Sequence, residues 1–578
     1  MSIRRISCLV PLLFATSVAG APQTPAVPHA AESIEVSIVN VDTVVADKQG
    51  HRIHGLQKED FEIYENGIRQ PITNFAEYAS EREATSAGVA TPSATAGSAP
   101  AAPQAPPHQK RTIIVFVERF QLPAFRSDPM FAAMKKLLHE SVRPGDRVEV
   151  VTWNHGILGT WLDFTDNLGR IDKAIDAIAD RTITADHSTL DDIEREVDAI
   201  STWEAETADF GSFRGGLGAI NTPGDWGLSF FIQENARMTA QNALLDEQRK
   251  VQTLNALMRS AAAAEGKKVL LLATHRLSMY AGAEALFVAG ATTVPAGFRS
   301  QFDGKAIVKT LIDTANANGF TVYPIYAEGL GMTSGVSAQF KSTPPRTIAY
   351  DYLILNNETP MLEYVAQQTG GMAAWGSNDV TKLLPHVVDD FESYYSLAYS
   401  ASNGKAASRR IEVKVKDPRF IVRARKQFLP KSDTTKMEDR VIATLFGNAP
   451  PASFEVKVRL AAPKLGEKKH YLTPITIEVP ISALTALPGA GDVSSGAFTV
   501  YMAWGSTFGG VSDTHRDTKQ FSIAAADLEK SKANHFTYEV GVESATPYLR
   551  VALGVYDEVS KEYALNLVDL APPPAKKR

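Results

Sequence analysis

Cysteine is nearly absent. The 578-residue chain has one, Cys8, which excludes a disulfide framework and a thiolate metal cluster. Motifs that would fix an activity are missing too. There is no H-E-x-x-H and no EF-hand loop, which removes two common ways of holding zinc or calcium. No G-x-S-x-G elbow occurs, and serine, histidine and aspartate are nowhere grouped as a triad would need. Gly329-Leu330-Gly331 follows a strand pattern but runs on to Pro344-Pro345 without opening a helix, so it lacks the context of a phosphate loop. No cofactor is expected. A net charge of −6 gives no reason to expect a nucleic-acid partner.

Long apolar runs are confined to the start. Arg4 and Arg5 precede Ile6 to Val18, and the small residues Ser17-Val18-Ala19 close the run. This pattern predicts a secretory signal over residues 1–19, with no transmembrane segment after its removal. Its loss takes the charge from −6 to −8 and removes Cys8. Arg5-Ile6-Ser7 is not a lipobox. An exported protein, periplasmic or extracellular, is expected.

The rest divides by composition and period. Residues 32–78 alternate apolar and polar at period two, with Asn66-Gly67 as a hairpin turn, and predict a small β module. Residues 79–110 are an Ala/Pro-rich linker too poor in apolar side chains to offset its ordering entropy. Residues 111–430 alternate short apolar strands (Thr112–Val117, Lys267–Ala273, Phe320–Ala327) with helical patterns. That predicts an α/β fold: a mostly parallel, Rossmann-type sheet with helices on both faces. Val148–Trp153 and Ile157–Phe164 are joined too tightly for a parallel crossover, so one of them runs antiparallel at an edge. A long helix before Gly266 carries Leu244, Leu245, Val251, Leu254, Leu257 and Met258 as a core-facing stripe. Residues 438–570 contain about seven strand patterns, spaced as in a β-sandwich.

Charged clusters have plain readings. Asp191-Asp192 and Asp389-Asp390 fit helix starts or solvated faces. The basic run Lys405 to Lys436 fits a polar strand face, since Ile411, Val413 and Val415 alternate with Glu412, Lys414 and Lys416. His51 and His54 fit a solvated turn.

Val45-Ala46-Asp47-Lys48-Gln49-Gly50, Leu56, Asp60-Phe61, Glu65-Asn66-Gly67 and Gln70-Pro71-Ile72 form one pattern. With Tyr394 to Tyr399, Ile411 to Val415 and Val422 to Lys426, it resembles the VWFA-related (von Willebrand factor A-like) domain of a family of secreted bacterial proteins. The resemblance covers about Ile34 to Pro430 and implies a VWA-like sheet. In VWA domains generally, the first strand ends on Asp-x-Ser-x-Ser, which holds a divalent metal that grips a partner's carboxylate. Here it ends on Glu118-Arg119-Phe120-Gln121-Leu122. The second loop should offer a Thr, yet no threonine of Asp180–Trp226 lies in a Gly-Gly-Thr context. The third loop should offer an Asp, and the chain reads Thr274-His275-Arg276. One sure oxygen donor is too few for a hard cation, and Arg119 and Arg276 would oppose one.

The reading that follows is an exported, non-catalytic binding protein with a degenerate metal site and no bound metal. Its binding edge comprises Glu118, Arg119, Gln121, Thr274 and His275, flanked by the Asp180–Trp226 and Tyr280–Ser300 loops. Arg119 and His275 would hold a carboxylate of a protein or cell-envelope ligand directly. The alternatives are an enzyme, such as a hydrolase, built from the loop insertions, and a structural envelope scaffold.

Overall fold

A computed structural model of the chain describes residues 38–78, 110–118, 124–154, 157–180 and 229–274. It also describes, with a few short interruptions, residues 277–326, 348–374, 384–466 and 470–570. The signal expected over residues 1–19 and nearly all of the 79–110 linker lie outside the described residues. Two compact units are formed, one of residues 36–255 with 264–430, the other of residues 431–578 with 256–263.

In the first unit the amino-terminal strands do not stand alone. They are β1 (Ile38–Ala46), β2 (Phe61–Glu65), β3 (Ile68–Gln70) and β4 (Ile72–Tyr78). They pair with β10 (Tyr394–Ser400), β11 (Arg409–Val415), β12 (Ile421–Ala424) and β13 (Gln427–Phe428). One antiparallel sheet runs β12-β1-β10-β4 and the other β13-β11-β2-β3. Between them lie Val39, Val41, Phe61, Ile63, Leu397, Tyr399 and Ile411. The sequence reading grouped Tyr394–Ser400 and Ile411–Val415 with the α/β segment. Their register instead joins them to strands more than 300 residues earlier, as in Leu397 with Val41 and Val413 with Ile63.

This pairing explains the motif residues. Asp47 accepts from the amides of Gln49 and His51 at 2.8 and 2.9 Å, closing the turn after β1. Asp60 accepts from the Gln57 amide at 2.8 Å. Asn66 and Gly67 take positive φ of 51° and 83°, the conformation a two-residue hairpin needs to follow strand twist. Glu65 is buried and paired with Arg409 at 3.2 Å.

The α/β sheet contains β5 (Arg111–Glu118), β6 (Arg147–Asn154), β7 (Ile157–Thr165), β8 (Lys267–Thr274) and β9 (Phe320–Tyr326), in the order β7-β6-β5-β8-β9. β6, β5, β8 and β9 are mutually parallel, and β7 runs antiparallel at the edge as its short turn requires. Ala374 adds a parallel bridge to Ile325 beyond β9. β5 is buried along its whole length, because helices cover both faces of a parallel sheet. On one face, α1 (Ala124–Ser141), α2 (Leu168–Asp180) and α6 (Leu384–Glu392) pack Met134, Leu137, Ile171, Ile175 and Val388 onto Ile113, Val115 and Val269. The other long helices are α3 (Ser229–Ser260), α4 (Lys305–Asn318) and α5 (Ile348–Thr369). α5 starts twelve residues before Pro360, which sits inside it. The sequence reading began the helix at that proline.

Asp390 departs from its solvated reading. It is fully buried and ion-paired to Arg52 and to Arg423, the latter at 2.6 Å. The basic run around it is similarly engaged: Arg409 pairs with Glu65, and Arg425 donates to the carbonyl of Asn316 at 3.1 Å. His51 and His54 pair with Asp47 and Glu77.

The second unit is a β-sandwich. β14 (Lys457–Leu460), β15 (Lys464–Leu465), β16 (Tyr471–Pro480) and β20 (His535–Ser544) form one sheet. β17 (Leu487–Pro488), β18 (Val493–Ser506), β19 (His515–Ala524), β21 (Leu549–Asp557) and β22 (Tyr563–Leu570) form the other. Ile475, Ile477, Val500, Val542 and Val551 fill the interior. A helix that the sequence reading passed over, α7 (Asp433–Leu445), packs Met437, Val441 and Leu445 against Tyr501, Ala552 and Tyr556. Ser432 caps it, accepting from the Thr435 amide. No helix among the described residues is long and apolar enough to cross a membrane.

Candidate functional site

In an open α/β sheet, ligands bind beyond the carboxyl ends of the strands, at the point where strand order reverses. Here that point lies between β5 and β8, the neighbours that start the two wings of the sheet. β5 ends on Glu118 and β8 on Thr274, side by side in the parallel register. Two of the five expected site residues are therefore brought together. The other three, Arg119, Gln121 and His275, lie outside the described residues, as does the Asp180–Trp226 loop except for its first residue.

Between Glu118 and Thr274 sits a cation that the sequence reading did not single out. Lys250, on α3, places Nζ 3.2 and 3.0 Å from the two carboxylate oxygens of Glu118 and 3.3 Å from Oγ1 of Thr274. The Thr274 hydroxyl also donates to Glu118. The group is enclosed: Glu118 is 4% exposed, Lys250 1% and Thr274 0%. A lysine ammonium carries three N–H donors and no acceptor, and three oxygens surround this one. A buried carboxylate must be paired or neutralised, and Lys250 supplies the charge from within the fold.

Local sequence explains how Lys250 reaches this position. Glu247, Lys250, Val251, Leu254, Leu257 and Met258 fall at helical spacing and are all buried. Leu245, assigned to the core stripe from sequence, is instead 42% exposed. The inward face of α3 is apolar towards its end and polar where it meets the carboxyl ends of β5 and β8. A lysine one residue before an apolar stripe was the available signal.

The segment after β8 is pinned by the same helix and by α5. Glu247 accepts from the Ser278 amide at 2.5 Å. Asn357 accepts from the Tyr280 amide at 2.9 Å and donates to the Tyr280 carbonyl at 3.0 Å. Gly282 (φ 70°) lies so close to α3 that a Cβ there would be 2.3 Å from Cα of Ala240. The first residues of the Tyr280–Ser300 loop are thus anchored at this edge.

Electrostatics weigh against a second cation in the same place. Two like unit charges about 4 Å apart repel by about 4 kcal/mol at an effective dielectric of about 20, and a divalent ion beside an ammonium by about twice that. Glu118 and Thr274, the described residues of the expected metal loops, already face Lys250.

No protein-family model matches the chain, and no curated protein matches it. Solved structures give faint likenesses. An aerotolerance-related membrane protein from Bacteroides fragilis aligns at 9% identity over 49% of this chain and 98% of its own, with a TM-score of 0.23. The conserved hypothetical protein BatB from Bacteroides thetaiotaomicron gives 9%, the same coverages and 0.22. Three N-terminal domains of the type V pili tip protein Mfa5 from Porphyromonas gingivalis align at 8% over 78% of this chain and 75% of theirs, at 0.25. Scores this low carry no argument about this chain.

Proposed function

We propose that this is an exported, non-catalytic binding protein whose α/β part is a VWA-like domain with a built-in cation. The Lys250 ammonium stands where the family's resemblance implies a divalent metal. The observation that carries the reading is its placement against Glu118 and Thr274 at the carboxyl edge. The strand order, with an antiparallel edge strand and the reversal between β5 and β8, supports the VWA-like reading.

A metal in such a site would bridge to a partner's carboxylate and make binding cation-dependent. A buried ammonium satisfied by internal oxygens does neither. Its task is to hold the ends of β5 and β8 and helix α3 in one geometry, from which the edge loops meet a protein or cell-envelope ligand without metal. The test is thermal melting of the whole chain in EDTA and in millimolar magnesium, manganese or calcium. A ligand that binds only the folded state raises the melting temperature. The reading expects the four curves to coincide, and a rise specific to one cation overturns it.

A further inference from the structure

The opposite edge of the sheet, at the amino ends of β8 and β9, carries a feature independent of the carboxyl-edge reading. A cleft of about 250 Å³ opens there, lined among others by Asp42 of β1, Lys267 and Lys268 of β8, Arg425, and the apolar Ile38 and Phe428. That is room for several waters or one small solute.

Its charges are arranged across a gap. The Asp42 carboxylate makes no hydrogen bond or ion pair with any described residue. Its charge nevertheless bears on both Lys267 and Arg425, which are near it but outside salt-bridge reach. Lys267 is only 4% exposed. Its ammonium donates to the Asp390 carbonyl at 2.6 Å and lies 3.9 Å from the centre of the Tyr394 ring, which leaves one of its three donors uncommitted. Arg425 gives one N–H from each terminal nitrogen to the carbonyls of Asn316 and Asn40, and each nitrogen carries a second. Lys268 adds a third positive charge while donating to the Asn318 carbonyl at 3.2 Å.

We propose that this cleft binds a small zwitterion of amino-acid size, with its ammonium on Asp42 and its carboxylate on Lys267 and Arg425. A simple amine would meet three cations, and a simple anion would meet Asp42. A molecule carrying both charges satisfies both walls, and Ile38, 67% exposed, offers an apolar surface at the rim for its side chain. Charge-assisted hydrogen bonds of this kind are the stronger ones, and partial burial reduces the screening that weakens them in water.

The test is isothermal titration of the whole chain with glycine, L-alanine and L-glutamate, with methylamine, acetate and inorganic phosphate as single-sign controls. The proposal expects at least one amino acid to bind in the millimolar range or tighter, and more tightly than every control. Asp42→Asn removes a charge that pairs with no described residue, so the fold is expected to persist, as its melting temperature would verify. In that variant amino-acid affinity falls about tenfold, the equivalent of about 1.4 kcal/mol, while acetate binding improves. The proposal is overturned if no amino acid binds the native chain, if acetate or phosphate binds it as well as the amino acids do, or if Asp42→Asn leaves the ranking unchanged.

Discussion

Replacing Lys250 by methionine deletes the ammonium and keeps most of the aliphatic volume. Glu118, 4% exposed, would then be a buried carboxylate that keeps the Thr274 hydroxyl but has lost the Lys250 ammonium. Removing one member of a buried ion pair typically costs about 3–5 kcal/mol. For a unit of this size that lowers the melting temperature by about 4–6 °C. The uncompensated carboxylate can recover part of the loss by taking up a proton, so the deficit should be smaller at pH 5 than at pH 8. Adding Glu118→Gln removes the stranded charge and should restore stability relative to Lys250→Met alone. Urea unfolding followed by tryptophan fluorescence reads all four members of the cycle, since Trp153 is buried in the same sheet. A Lys250→Met cost under about 1 kcal/mol, the range of an exposed pair, would refute the reasoning. So would single-mutant costs that merely add, because residues in contact must couple.

Two other perturbations test the frame around the site. Burial, with the nearby Asp163 charge adding and Arg147 opposing, raises the Glu149 pKa from 4.5 to about 7. A folded-state pKa raised this way gives stability that is complete below the unfolded value and is lost as pH rises through about 7. Glu149→Gln should therefore match the native chain near pH 4.5 and exceed it at pH 8 by up to about 3 kcal/mol in urea unfolding; equal stability at pH 8 would contradict this. Asp390→Asn should cost about 3–5 kcal/mol, read as a shift in the urea midpoint, because it leaves Arg52 and Arg423 facing each other without the carboxylate.

What the sequence made legible follows from the range of the interactions. Strands β5, β8 and β9 stand out because burial on both faces demands continuous apolar runs, and the antiparallel edge follows from the short turn between β6 and β7. The hairpin at Asn66-Gly67 is a local matter of positive φ. The pairing of β10 and β11 with β1, β2 and β4 is not local: period two marks them as strands and is silent on partners more than 300 residues away. Polar groups inside the fold were hardest to see. Lys250 meets Glu118 across 132 residues and Asp390 meets Arg52 across 338, and charged residues in helical patterns are ordinarily solvated. Glu118 and Thr274 could be singled out because each closes an apolar central-strand run, which the sequence shows directly. The cation between them belongs to a helix whose apolar stripe drew attention away from its polar end.

The central claim is that the cation at the carboxyl edge is the chain's own. Crystals grown with manganese and measured at its absorption edge test it directly. Nζ of Lys250 should lie between Glu118 and Thr274, with no anomalous peak within about 3 Å of their oxygens, the reach of an inner-sphere ligand. A manganese peak held by Glu118 and Thr274, with Lys250 turned away, would contradict it.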